Sequence, residues 1–282
     1  MVNLLFCGND GVFDGVLTCA LSILHRSRLD EPFHFYLFTM DVRHLGEKYT
    51  PITNEHVRFF EDTVRAYHPE NRVSMFDVST LYAEEFAGCP NEGAYCSPYT
   101  LIRLLADRVE GLPDKMLYLD ADIMFNRDIH LLYDIDVSEV EYAAARDHYG
   151  KYLVHPNYVN AGVLLWNLKY MRETGILARA RELLRQKKLT FADQSALIRS
   201  TTKKKMLPQK FNDQKFLHKS TVVRHFSKRL FYLPYPHTDN IKQWQIERVH
   251  SVFGYRQFDD IYEKYQSLCA QYAQSGKGEH IQ

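Results

Sequence analysis

Lys115-Met116-Leu117-Tyr118-Leu119-Asp120-Ala121-Asp122-Ile123-Met124-Phe125 is the stretch on which the reading of this chain turns. Five mostly apolar, strand-like residues run into two carboxylates spaced i, i+2, and apolar sequence resumes at once. On a strand, residues two apart point to the same face. Asp120 and Asp122 would then present four oxygens to one point, as a hard divalent cation such as Mg²⁺ or Mn²⁺ requires. Asp also ends strands for ordinary turn reasons, so the pair alone leaves both readings open. Its setting favours the cation, because two carboxylates wedged between apolar runs need a partner to offset their desolvation.

Working outward, the first half alternates strand and helix. Val2 to Gly8 reads as a buried strand, followed by the turn Gly8-Asn9-Asp10-Gly11. Asp14 is placed to cap a helix with apolar positions Val16, Ala20, Ile23 and Leu24. Phe33 to Met40 is a second strand, Thr53 to Tyr67 an amphipathic helix and Arg72 to Val78 a third strand. Ser97-Pro98 opens a helix through Val109, and Pro113-Asp114 leads into the strand ending at Asp120. This order predicts an α/β fold with a mainly parallel sheet covered by helices on both faces. Ligands of such sheets bind beyond the carboxyl ends of the strands, where Gly8-Asn9-Asp10 and Asp120/Asp122 both lie.

The second half is less regular. Glu141 to Arg146, Val159 to Leu168 and Thr221 to Phe226 are predicted strands. Met171 to Lys187 and Asp193 to Arg199 are predicted helices, and helical stretches over 240–252 and 258–273 close the chain. Lys203-Lys204-Lys205 reads as a solvated turn. The expected division is a catalytic domain over 1–235 and a helical extension over 236–282 packed on it.

Composition narrows the class. The 282 residues are 45% hydrophobic and 25% charged, ordinary globular values, with Lys+Arg and Asp+Glu balanced at 35 each. No global field therefore favours nucleic acid or a membrane surface. Five cysteines without a C-x-x-C spacing point to reduced thiols in a cytoplasmic protein rather than a zinc site. The start lacks a basic n-region, and no apolar run approaches the ~18 residues of a spanning helix. The tail, 271–282, is polar and nearly balanced in charge. Contact with the inner face of a membrane is thus at most peripheral.

Other segments carry candidate chemistry. Asn160-Ala161-Gly162 opens a strand with small residues that let backbone approach a ligand. Asp193-Gln194 begins a helix, and His225-Phe226 ends a strand. An imidazole added to two carboxylates tilts a metal site towards Mn²⁺. Arg103 precedes the Asp pair in a predicted helix. Each has a plain structural role as well: core Gly, N-cap, buried His, surface Arg.

Together, Leu117–Asp122, Asn160–Leu168, Asp193-Gln194 and His225-Phe226 resemble glycosyltransferase family 8, the retaining enzymes that include glycogenin and bacterial galactosyltransferases. The resemblance covers roughly 2–226. It implies the nucleotide-sugar-binding GT-A fold, a UDP-sugar donor, Mn²⁺ (or Mg²⁺) as cofactor, and retention of anomeric configuration. By position, it implies that Asp120, Asp122 and His225 bind the metal, with Ala121 between the carboxylates. The first loop, Cys7-Gly8-Asn9-Asp10, would contact the uridine and Arg103 the donor. Asp147 would bind donor hydroxyls, Asn160 and Ala161 would line the sugar pocket, and Asp193 and Gln194 would lie near the anomeric carbon.

Two departures stand out. The aromatic residue that the family often stacks on uracil reads Val12 here, with Phe13 one place later. The family's Gly and Lys-Pro-Trp after His-Phe read Ser227-Lys228-Arg229-Leu230-Phe231-Tyr232, so Lys228 (or Arg229) is expected to supply the diphosphate-contacting cation.

The function expected is transfer of a hexose, galactose or glucose, from a UDP-sugar to a glycan, glycolipid or glycoprotein, as in polysaccharide or lipopolysaccharide synthesis. Same-face attack is favoured because no residue type demands a covalent step. Competing readings are self-glycosylation, which 19 tyrosines permit, and a catalytically silent sugar-nucleotide-binding protein. A phosphohydrolase with its Asp pair at a strand end is disfavoured, since that chemistry expects the pair after the first strand. The partners expected are a UDP-hexose and a carbohydrate-bearing acceptor, with a homodimer left open.

Overall fold

The computed structural model describes residues 1–93 and 97–274. Its centre is a seven-stranded sheet, built first from β1 (Val2–Cys7), β2 (Phe33–Thr39), β3 (Arg72–Asp77) and β4 (Lys115–Leu119). β6 (Tyr142–Ala145), β7 (Val163–Asn167) and β8 (Lys204–Leu207) complete it in the order β3-β2-β1-β4-β7-β6-β8. β1 pairs in parallel with β2 and β4, and β2 with β3, while β7 runs antiparallel to both β4 and β6. The sheet is therefore mixed and mainly parallel, as expected.

Each face of the sheet has its own core, which explains why β1 is apolar at every position but Asn3. Val2, Leu4 and Phe6 enter one core, and Leu5 and Cys7 the other. The first core packs under α1 (Phe13–Arg26) and the C-terminal helix. The second packs under α3 (Ser79–Phe86), α6 (Leu168–Thr174), α7 (Ile176–Gln186) and α8 (Ala192–Ser200). Helix α2 (Asn54–Arg65) starts where the sequence predicts: Thr53 caps it by accepting from the His56 N–H at 3.1 Å, and His56, Phe60 and Val64 face inward.

Several local expectations are corrected. Asp14 lies in the first turn of α1 rather than capping it. The helix expected over 97–109 is two short 3₁₀ turns, Pro98–Thr100 and Ile102–Leu105, because the Arg103 side chain takes the Thr100 carbonyl at 3.0 Å. The 171–187 helix breaks at Gly175, whose φ of 66° ends α6 and begins α7. Lys204–Leu207 is an edge strand rather than a turn, and its lysines suit an edge that must not pair further.

Smaller elements complete the described chain: α4 (His130–Tyr133), α5 (Gly150–Leu153) and an antiparallel pair of β5 (Ile123–Phe125) with β9 (Val223–His225). A hairpin of β10 (Arg229–Phe231) and β11 (His237–Asp239) follows. Where a helix was expected over 240–252, the chain runs as an irregular strap to about 245. It then makes only α9 (Ile246–Arg248) and one π turn, Val249–Phe253. The last helix, α10 (Asp259–Gln274), buries Ile261, Tyr262 and Tyr265 in the first core, and its Asp260 forms a bidentate ion pair with Arg26 at 2.7 Å. Among the described residues, no helix is long and apolar enough to cross a membrane.

Candidate functional site

β1 and β4 are neighbours in parallel, so their carboxyl ends bring Cys7-Gly8-Asn9 beside the Asp pair. β4 ends at Leu119, and Asp120-Ala121-Asp122 form the turn into β5, so the i, i+2 strand argument does not explain their convergence. The explanation lies in the β5–β9 pairing. Ile123 lies opposite His225, and the Phe226 N–H donates to the Asp122 carbonyl at 2.8 Å, which delivers the imidazole to the turn. His225 Nε2 is 3.0 Å from Asp122 Oδ1 and 3.9 Å from Asp120 Oδ2. Ligand atoms of the three residues lie within 4.8 Å of one another.

Gly162 makes room for this cluster. A Cβ there would stand 2.4 Å from His225 Cε1 and 2.7 Å from Asp120 Oδ2. Its carbonyl accepts from the Asp120 N–H at 2.8 Å, so the same backbone holds the turn. This is the close approach that the small residues at 160–162 predict.

The imidazole is oriented by a hydrogen-bond relay. The Gly162 N–H donates to Asn160 Oδ1 at 3.0 Å, and Asn212 Nδ2 donates to that same oxygen at 2.9 Å. Asn212 must then turn its own Oδ1 to His225 Nδ1, 3.0 Å away. An amide oxygen only accepts, so Nδ1 carries the proton and Nε2 faces the carboxylates. A proton or a cation must lie between them. Asn160 Nδ2 extends the relay to Asp147 Oδ2 at 2.9 Å, while Asp147 Oδ1 takes the N–H groups of Tyr149 and Gly150.

Arg103 organises the opposite wall. Its guanidinium donates to the carbonyls of Thr100 and Ala161, and pairs with Asp120 Oδ1 at 3.0 Å and Asp193 Oδ2 at 3.2 Å. It also lies 4.1 Å over the Tyr118 ring. Burial works against its charge, yet Tyr118, Asp120 and Asp193 hold its pKa above the ordinary arginine value. Burial raises the Asp193 carboxyl, with Arg103 opposing. Asp193 follows Ala192, a buried residue at φ 28°, an unusual backbone for a side chain with a Cβ. Beside it, Gln194 Oε1 accepts from the Ala161 N–H at 2.9 Å.

The first loop is held by the 48–50 segment: Asn9 Nδ2 donates to the Lys48 carbonyl at 2.9 Å and the Asp10 N–H to that of Thr50 at 3.1 Å. Asp10 also lies 3.1 Å from His56 Nδ1. Phe13 is unavailable as a base-stacking residue, because it is buried and stacks on His56 at 4.3 Å; Val12 lines the cleft instead. Burial pushes the Cys7 thiol well up, so it stays protonated there.

The residue that sequence reasoning missed is Lys242. Its Nζ is 2.5 Å from Asp122 Oδ2, and together with His225 it holds that carboxyl below the usual range against the opposing effect of burial. Trp244 lines the same cleft, and between them the buried Gln243 donates to the Ala121 carbonyl at 2.6 Å, to Thr18 Oγ1 and to the Gly15 carbonyl. Lys228, the cation expected to contact the diphosphate, is exposed on the segment between β9 and β10. The signal is in the sequence: Lys242-Gln243-Trp244 has the Lys-x-Trp pattern that the family resemblance places sooner after His225-Phe226.

With this geometry established, comparison with known proteins identifies the family. The family described as Glycosyl transferase family 8 matches residues 3–229. The "Probable glycosyl transferase Gly" of Streptococcus gordonii is 36% identical over 95 residues, 33% of this chain and 14% of that protein. The "Glycosyltransferase GlyA" of Streptococcus pneumoniae serotype 4 is 25% identical over 199 residues, 69% of this chain and 25% of that protein. The chain thus matches a quarter or less of the length of these relatives. Among solved structures, the galactosyltransferase LgtC in complex with donor and acceptor sugar analogues superimposes with a TM-score of 0.66, at 19% identity over 96% of each chain. GlyE of Streptococcus pneumoniae TIGR4 does so at 0.61, with 16% identity over all of this chain and 66% of its own. The fold is the GT-A fold, and the chain belongs to glycosyltransferase family 8.

Proposed function

We propose that this protein transfers a hexose, galactose or glucose, from a UDP-sugar to a carbohydrate-bearing acceptor, with retention and with Mn²⁺ as cofactor. The observation that carries this reading is the meeting of Asp120, Asp122 and His225 at one point, with Nε2 turned inward by Asn212 and space kept by Gly162. Two carboxylates and an imidazole suit Mn²⁺ better than Mg²⁺. When bound, the ion would supply stabilisation of the negative charge that develops on the leaving diphosphate.

The chain's own residues take the remaining roles. Cys7-Gly8-Asn9-Asp10 form the wall against which the uridine would lie. Lys242 is placed to contact the diphosphate and Trp244 to cover it, with Lys228 as the second candidate cation. The proposed unit is therefore the 1–235 domain together with the 236–282 extension, from which Lys242 and Trp244 reach back. Asn160, Ala161 and Asp147 would hold the donor sugar.

Retention by same-face attack fits the carboxylates. Asp193 is buried and neutralised by Arg103, and both oxygens of Asp147 are engaged, so neither is prepared as a nucleophile. Gln194, fixed by the Ala161 N–H, would steady the oxocarbenium-like sugar by its dipole. The LgtC structure, which holds donor and acceptor sugar analogues, supports a sugar donor and acceptor for this fold.

The test is UDP release across UDP-galactose, UDP-glucose and their N-acetyl forms, followed by proton NMR of the fresh product. A hexose donor and an α-linked product are expected. A β-linked product would remove the retaining assignment, and a trapped glycosyl-aspartate would replace same-face attack by a covalent route. Intact-protein mass after incubation with donor tests self-glycosylation; an unchanged mass is expected.

A further inference from the structure

Ten large apolar side chains are exposed among the described residues, and apart from Met1, Leu131 and Val252 they fall on three short segments. Tyr152, Leu153 and Val154 follow Asp147 on and after α5. Phe216 lies before β9, and Tyr232, Leu233 and Tyr235 are on the β10–β11 hairpin. Leu153 is 78% exposed and Leu233 82%.

The three segments are joined at their bases. The Leu230 N–H donates to the Tyr149 hydroxyl at 3.2 Å, Arg229 Nη1 to the Lys215 carbonyl at 3.3 Å, and the His148 N–H to Gln214 Oε1 at 2.7 Å. Each of the seven exposed apolar residues on these segments lies no more than five positions from one of these links.

Their charge is as unusual as their exposure. Residues 148–157, 214–220 and 227–238 contain Lys151, Lys215, Lys219, Lys228 and Arg229 and no Asp or Glu, in a chain whose charges balance overall. The carboxylates that flank them are engaged: Asp147 with the Tyr149 and Gly150 N–H groups, Asp213 with those of Lys215 and Phe216, and Asp239 with Arg248.

We infer that this surface docks on the face of a phospholipid bilayer rich in anionic headgroups. The positive charge selects an anionic partner. The aliphatic tips at Leu153, Val154 and Leu233 select one that offers hydrocarbon beside its charge, which a glycan or a nucleic acid does not. Tyrosines between lysines and leucines are the composition of a membrane–water interface. Because α5 follows Asp147 and the hairpin follows His225-Phe226, docking would bring the candidate cleft close to the bilayer. The inference stands whichever sugar is transferred.

Sedimentation with vesicles tests it, using phosphatidylcholine alone and an equimolar mixture with phosphatidylglycerol. Wild-type protein is expected to bind the anionic vesicles and not the neutral ones. Leu153→Ser with Leu233→Ser, and separately Lys151→Glu with Lys219→Glu, should each lower the partition at least about tenfold. Circular dichroism and UDP release measured on the same samples should match wild type, so that a failed donor reaction counts against the proposed function and not against docking. Absent binding to anionic vesicles, or binding equal in wild type and both variants, overturns the inference. So does vesicle binding unaltered by variants that lose transfer to a soluble glycopeptide, which would make the surface an acceptor-protein site.

Discussion

His225 Nδ1 donates to Asn212 Oδ1 at 3.0 Å, and this contact fixes which nitrogen of the imidazole faces Asp120 and Asp122. Asn212 is wholly buried, and its amide cannot flip, because its Nδ2 is committed to Asn160 Oδ1. Asn212→Ala should therefore weaken UDP-dependent Mn²⁺ binding about 10- to 100-fold, read by calorimetry, while the fold survives. Unchanged metal affinity would show that the tautomer is set in some other way.

Gly162→Ala places a methyl between His225 and Asp120, at 2.4 and 2.7 Å from their atoms. Overpacking of this kind costs about 1–3 kcal/mol of stability. The larger expected effect is on transfer, because His225 and Asp120, the proposed metal ligands, must separate. A thermal melt and UDP release measured on the same variant check both. Wild-type turnover would show that the cluster need not be compact.

Lys242 and Lys228 compete for one role. Lys242 touches Asp122, so Lys242→Ala should lower kcat/KM for the donor by about 10²- to 10³-fold. Lys228→Ala, made alongside it, should lose less. The reverse order would return the diphosphate contact to Lys228.

Glu141 tests the fold away from the cleft. It is completely buried and takes hydrogen bonds from Thr201, Thr202 and the Lys203 N–H. Burial would raise its carboxyl, but these donors hold it below the usual carboxylate value. A depressed folded pKa means that its stabilisation is complete above the unfolded value, about 4.3, and is lost as pH falls towards the folded one. Glu141→Gln should be less stable than wild type at pH 7 by about 1–3 kcal/mol. The gap should close on acidification below pH ~4, as read by urea denaturation across pH. A gap independent of pH would remove the carboxylate from the account.

What was legible in the sequence follows from what is local. β1, β2 and β4 could be read because strands buried on both faces are nearly continuous apolar runs, and α2 because Thr53 and its inward-facing residues announce it. The Asp pair was found for a reason that failed. Asp120 and Asp122 sit in a turn, and they converge because β9 pairs with β5 a hundred residues later. Lys242 was hidden in a stretch that looked helical. Its conformation is set by Gln243 reaching Ala121, Gly15 and Thr18, contacts that no local pattern encodes. α3, the edge strand β8 and the β10–β11 hairpin were missed for the same reason: short elements take their form from what they pack against.

If Asp120, Asp122 and His225 hold a divalent ion, as proposed, sugar transfer must depend on that ion. The measurement is UDP release from the preferred UDP-hexose during Mn²⁺ titration of chelator-stripped protein, with Asp120→Asn and Asp122→Asn alongside. Negligible release is expected without metal, with recovery greater in Mn²⁺ than in Mg²⁺ and turnover reduced by orders of magnitude in both variants with their folds intact. Full activity in excess chelator, or either variant at wild-type rate, would contradict it.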